Sequence, residues 1–159
     1  MFFRIYSPAA TIFSFVTAGV LSLFGGHRHK SRRRREVTPY VPKIQRVIDA
    51  HRDCTAELFN IFVRGRKRAN AFAQLSPGDM LEVKLDGDSL EVWVGNIKIA
   101  SAEIPATSLL PKAFQSGADI YAYLGGRDLE NASDTAEFGT VVVFYKLEDV
   151  PPTKINLQF

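Results

Sequence analysis

The spacing of hydrophobic and polar residues changes twice along this chain. Residues 5–26 form an apolar run of 22 residues without a charge. A helical rhythm follows once, with Ile44, Val47, Ile48 and His51 on one face of a helix predicted over 42–54. Beyond it the period shortens to that of strands. Residues 57–63 are apolar and β-prone, and 64–68 (Arg-Gly-Arg-Lys-Arg) read as a short basic loop. Ser76-Pro77-Gly78-Asp79 is a turn leading into a strand over 80–85. Asp86-Gly87-Asp88-Ser89 and Gly95-Asn96 then separate strands at 90–94 and 97–102, a meander marked by hairpin turns.

After Ile104-Pro105 a short helix is predicted, with Leu109, Leu110, Ala113 and Phe114 as its apolar face and Ser116-Gly117 at its end. Residues 119–124 alternate as a strand, with Ile120 and Ala122 opposing Tyr121 and Tyr123. A polar loop is expected over 125–138. The most hydrophobic strand, 139–146, is expected to be central, and Pro151-Pro152 to end the fold. The pattern predicts a mainly β protein: a small curved sheet or partly open six-stranded barrel with one inserted short helix. An N-terminal hydrophobic helix and a short amphipathic helix precede it. The implied division is a hydrophobic anchor helix over 1–26, a basic flank and Pro-containing linker over 27–42, a β-rich domain over 43–150 and a tail over 151–159.

The apolar run ends against a block of fixed positive charge: Arg28, Lys30, Arg32, Arg33, Arg34 and Arg35. A segment of this kind reads as a single transmembrane anchor with its stop-transfer flank. One Arg precedes the run and six Lys/Arg follow it, so the positive-inside rule puts the C-terminal domain in the cytoplasm. If Pro8 starts the helix and Gly25-Gly26 ends it, about 17 residues remain, near the short limit for spanning. A helix lying in the lipid interface, or packed against partner chains, is the competing reading. A cleaved signal peptide fits less well, because the strong charges follow the apolar core.

Charge divides the chain in the same place. Residues 1–36 carry a balance of +6, and residues 37–159 a balance of −3. The basic character therefore belongs to the N-terminal element, which argues against nucleic-acid binding over the whole surface of the body. The single cysteine, Cys54, excludes an internal disulfide and fits a body facing the cytosol.

Few residues offer chemistry. The chain has no phosphate-binding Gly-rich loop and no nucleophile elbow. Asp86 and Asp88 flank Gly87 as hairpin residues, and His51 sits at the edge of an amphipathic face. No catalytic residue, cofactor or metal site is expected. One combination suits recognition. Arg64, Arg66, Lys67 and Arg68 form the basic cluster of an acidic body, and Trp93, Tyr121 and Tyr123 lie on predicted strands. Cations that track a backbone beside rings that stack on bases are how single-stranded nucleic acid is held. The alternatives are a core Trp, tyrosines alternating out of a sheet and solvated charges.

Val63-x-Gly65, Leu75-x-Pro77-Gly78-Asp79-x-Leu81, Ile104-Pro105, then Leu109 or Leu110, Phe114 and Gly117, and the strand from Val141 to Tyr145 occur in an order that resembles the HIRAN domain. The resemblance covers residues 59–147. It implies a small β-barrel-like module associated with recognising DNA, including single-stranded ends, often within larger repair enzymes. Two stretches depart from the family pattern. Its usual Pro-x-Asn-x-x-Asp-x-x-Ala-like segment is reduced here to Asp86-Gly87-Asp88-Ser89, and its usual Ile-Gly before the later Pro is missing, the chain reading Ala102-Glu103-Ile104-Pro105. The resemblance does not identify contact residues. The expectation is a membrane-tethered, non-catalytic binding module with membrane lipid as one partner. Its other partner is nucleic acid or, in the alternative, a protein that makes it an assembly subunit.

Overall fold

A computed structural model describes residues 40–155. The apolar run, its flanking cations and the membrane anchor assigned to them lie outside the described residues. Among the described residues, no helix is long and apolar enough to cross a membrane.

The elements run α1 (Lys43–Ala50), β1 (Thr55–Arg64), α2 (Arg66–Ala73), β2 (Met80–Asp86), β3 (Ser89–Val94), β4 (Ile97–Glu103), α3 (Leu110–Gln115), β5 (Ile120–Ser133) and β6 (Ala136–Tyr145). The strands form one antiparallel sheet in the order β1-β6-β5-β2-β3-β4. The ladder stops at β1 and β4, so the sheet is not closed. It curls until those two edge strands approach each other.

Two hairpins follow directly from glycine. Asp86 pairs with Ser89 across Gly87-Asp88, and Val94 with Ile97 across Gly95-Asn96. In each two-residue loop the glycine comes first, with φ of 57° at Gly87 and 56° at Gly95. A left-handed residue there matches the twist of the flanking strands. Gly78 is constrained more tightly. Its φ is 93°, and a Cβ would lie 2.8 Å from the Ile44 backbone nitrogen.

The concave side holds the main core. Phe59, Ile61 and Val63 of β1 face Leu90 and Val92 of β3, with Val141 and Val143 of β6 between them in the sheet. Phe72 of α2 and Leu110 of α3 are fully buried in the same cluster. A smaller cluster lies on the convex side, where Ile44 of α1 packs with Ala56, Tyr123, Val142 and Phe144.

Three sequence expectations need correction. The basic loop over 64–68 is the last residue of β1, one glycine and the first turn of α2, so two short helices are inserted in the sheet, not one. The helix was hidden because its local signals oppose it. Gly65 offers no side-chain cap, and the first turn carries three cations and no acid. With Gly at the N-cap the missing side-chain bond costs only about a few tenths of a kcal/mol, and cations at the positive helix end add a few tenths each. Full burial of Phe72 contributes roughly 3 kcal/mol and outweighs both. Second, the polar loop over 125–138 is a hairpin, in which β5 runs on to Ser133 and β6 begins at Ala136. Its tip is exposed on both faces, so no alternation marks it. Third, the chain stays on the domain past Pro151-Pro152. The Thr153 amide donates to the Cys54 carbonyl at 3.2 Å, and Ile155 packs against the convex cluster.

Candidate nucleic-acid interface

The end of β1 and the start of α2 form one wall of an open groove. Gly65 turns the chain with φ of 95°, and its N–H donates to the Thr135 carbonyl at 2.8 Å. Arg64, Arg66, Lys67 and Arg68 are all exposed around that turn. The β3–β4 hairpin supplies the other wall through Trp93, Asn96 and Lys98. The groove encloses about 660 Å³. The four predicted basic residues and Trp93 therefore meet in one place, joined by Lys98, which sequence reasoning did not single out.

A bulge aims that second wall. Val92 pairs with Ala100, but Trp93 pairs with Lys98, so the ladder skips Ile99. Regular pairing would set Ile99 opposite the indole; the extra residue sets a cation there instead. Ile99 is 1% exposed and belongs to the core.

Trp93 is half-buried and held by polar neighbours. Its Nε1–H donates to Glu91 Oε2 at 3.1 Å. The Lys98 ammonium donates to the other oxygen of the same carboxylate. Lys84 Nζ lies 4.2 Å from the centroid of the indole and 3.2 Å from Glu82 Oε1. The Lys98 hydrogen bond holds the Glu91 carboxyl below the usual range; desolvation opposes that shift, and the indole N–H adds to it.

Tyr121 and Tyr123 do not join the groove. They lie on the convex face of β5, beside His51 at the C-terminal end of α1. The imidazole stacks on Phe144 with ring centroids 4.7 Å apart, and Tyr121 and Tyr123 sit 5.1 Å and 5.4 Å from it. His51 Nδ1 donates to the Val47 carbonyl at 2.9 Å, which orients the ring. Tyr123 is only 8% exposed, and burial pushes its hydroxyl above the usual tyrosine value. It is a core residue; Tyr121, 39% exposed, borders it. Ile120 and Ala122 face the main core and Tyr121 and Tyr123 the convex side, as the alternation predicts. The helix that covers that side left no mark near the tyrosines.

Two further polar arrangements went unnoticed in the sequence. Glu57 of β1 accepts hydrogen bonds from the Tyr145 hydroxyl, from Ser108 Oγ at 2.6 Å and from the Leu109 amide at 3.2 Å. Ser108 Oγ in turn accepts from the Leu110 amide at 3.1 Å. Every hydroxyl is thus committed to fixing the start of α3. Burial first, then Glu57, pushes the Tyr145 hydroxyl far above its ordinary value, so it stays protonated. Together these bonds clasp β1 and β6 to the start of α3. The second is a buried ion pair, Arg127–Glu137 at 3.0 Å. Arg127 also donates to the Ala73 carbonyl at 3.1 Å and lies 5.5 Å from the centroid of the Phe72 ring, so it ties the last turn of α2 to the β5–β6 hairpin.

Among the described residues, no three His, Cys, Asp or Glu side chains gather as a metal would require. Burial pushes the Cys54 thiol up, which keeps it a poor nucleophile. No family model, no curated protein and no solved structure matches this chain.

Proposed function

We propose that this chain is a membrane-tethered, non-catalytic binding module that takes single-stranded DNA, or a DNA end, in the groove between α2 and the β3–β4 hairpin. The observation that carries the reading is the convergence of Arg64, Arg66, Lys67 and Arg68 with Trp93 on a body whose net charge is otherwise negative. Cations on one wall suit a phosphate backbone, and an indole on the other suits an unstacked base. The resemblance to HIRAN domains supports the same ligand class and a barrel-like reading of the curled sheet. The tether is inferred from the sequence of residues 1–36, and the positive-inside rule then gives a cytoplasmic body.

Fluorescence anisotropy of labelled single-stranded DNA, over a salt series, tests this on the full chain. Replacing Arg64, Arg66, Lys67 and Arg68 together by Ala should lower affinity at least about tenfold at low salt. It should also flatten the log–log salt slope by about 3, at roughly 0.7 per lost phosphate contact. Equal affinity and slope in the variant would remove the groove from the account.

A second reading, a protein-contact or assembly subunit, is favoured by one feature. Leu58 is 50% exposed on the convex face of β1, and Phe62 and Phe138 stack farther along at 4.3 Å. Loss of assembly in a Leu58→Asp variant, with DNA affinity unchanged in both variants, would favour it.

A further inference from the structure

Resting on the groove reading above, we infer that Glu91 is a positioning residue: it couples the Trp93 indole and the Lys98 ammonium into one unit that takes a base and its phosphate together, so the ligand is the unpaired nucleotide and not any polyanion. A carboxylate beside an anion-binding groove is at first sight a defect, since it repels phosphate. Its geometry gives it another role. One oxygen accepts the indole N–H at 3.1 Å and the other accepts the Lys98 ammonium. The bulge at Ile99 is what sets Lys98 opposite Trp93 at all. Lys84 rests over the same ring, which leaves the indole braced by charged side chains from its own and both neighbouring strands. A ring fixed in orientation loses little entropy when a base stacks on it. An ammonium held by that same anchor keeps its remaining donors for a phosphate. The carboxylate costs some attraction for bare polyanions and adds selectivity for ligands that bring a ring as well.

Trp93 is the sole tryptophan of the chain, so its fluorescence reports on this wall without interference from the basic N-terminal block. The full chain is titrated with a short oligothymidylate and, separately, with inorganic polyphosphate. The wild-type protein should show quenching with the oligonucleotide and little with polyphosphate. Glu91→Gln should lose about tenfold in oligonucleotide affinity, the scale of one stacked base, and most of the quenching. It should bind polyphosphate equally well or better, because a negative charge has gone. Lys98→Gln should reproduce the loss for the oligonucleotide, and it keeps the test valid if Glu91→Gln melts early by circular dichroism. If both variants keep wild-type oligonucleotide affinity and quenching, Glu91 is only an opposing charge and the inference fails while the groove survives. If the wild-type protein gives no quenching with any oligonucleotide, the groove reading itself fails.

Discussion

Trp93 and Tyr121 both stand on strands with their rings turned out of the sheet, yet they belong to different kinds of surface. Around Tyr121 the convex face is roofed by α1, and His51, Tyr123 and Phe144 form an aromatic cluster under the end of that helix. Around Trp93 charged side chains brace the ring, and it lines a groove with the cations of residues 64–68. Ring type is the lesser difference between them. Tyr121 is the more exposed of the two, so what separates them is the cations gathered around Trp93.

The largest expected effect tests whether the groove depends on what lies behind it. Glu137→Ala leaves the half-buried Arg127 without its carboxylate, a change that costs about 2–3 kcal/mol of stability. Because Arg127 also holds the end of α2, this variant should weaken DNA binding as well as lower the denaturant midpoint. A fall in stability with binding intact would separate α2 from the groove. Next, Trp93→Ala should cost about 2 kcal/mol of single-strand affinity by anisotropy, whereas Tyr121→Ala should cost close to none. Equal losses would merge the two surfaces. Third, His51→Ala removes a stack on Phe144 and should lower stability by about 1 kcal/mol in urea melts, with DNA affinity unchanged.

The smallest effect concerns the strap between α1 and the turn before β2. Asp79 accepts from Lys43 and, at 2.8 Å, from the Ser76 amide. The Lys43 hydrogen bond, then that amide, hold its carboxyl below the usual range. A depressed folded value gives stability that is present above the unfolded value and lost as pH falls through the folded one. Asp79 is partly exposed, so Asp79→Asn should cost only about 0.5 kcal/mol at neutral pH. The gap from wild type should close in acid, below about pH 4. A gap that persists there would assign the effect to something other than the charge.

How far these features could be read in advance depended on how local their causes are. Gly87 and Gly95 announce their hairpins because a two-residue loop needs a left-handed residue at that point. Ile120 and Ala122 against Tyr121 and Tyr123 show the right alternation because strand geometry imposes it. The start of α2 is not marked in the sequence, because its cations oppose a helix that the burial of Ala69 and Phe72 stabilises. The bulge at Ile99 was equally hidden. Ile97, Lys98 and Ile99 alternate, but Ile99 and Ala100 are both apolar and both buried, and the register with β3 shows that Lys98, not Ile99, faces Trp93. Half of the candidate site was thus legible as residue types, and none of its assembly was. The sequence brings four cations and three aromatics to notice; tertiary packing keeps one aromatic with the cations and gives two to the roof formed by α1.

Ultraviolet cross-linking of single-stranded DNA to the full chain, with the attached residues located by mass spectrometry, shows which surface holds the strand. Adducts are expected at Trp93 and within residues 64–68, and none at Tyr121 or Tyr123. Adducts at the tyrosines, or confined to the basic block of residues 27–35, would contradict a strand held in the groove.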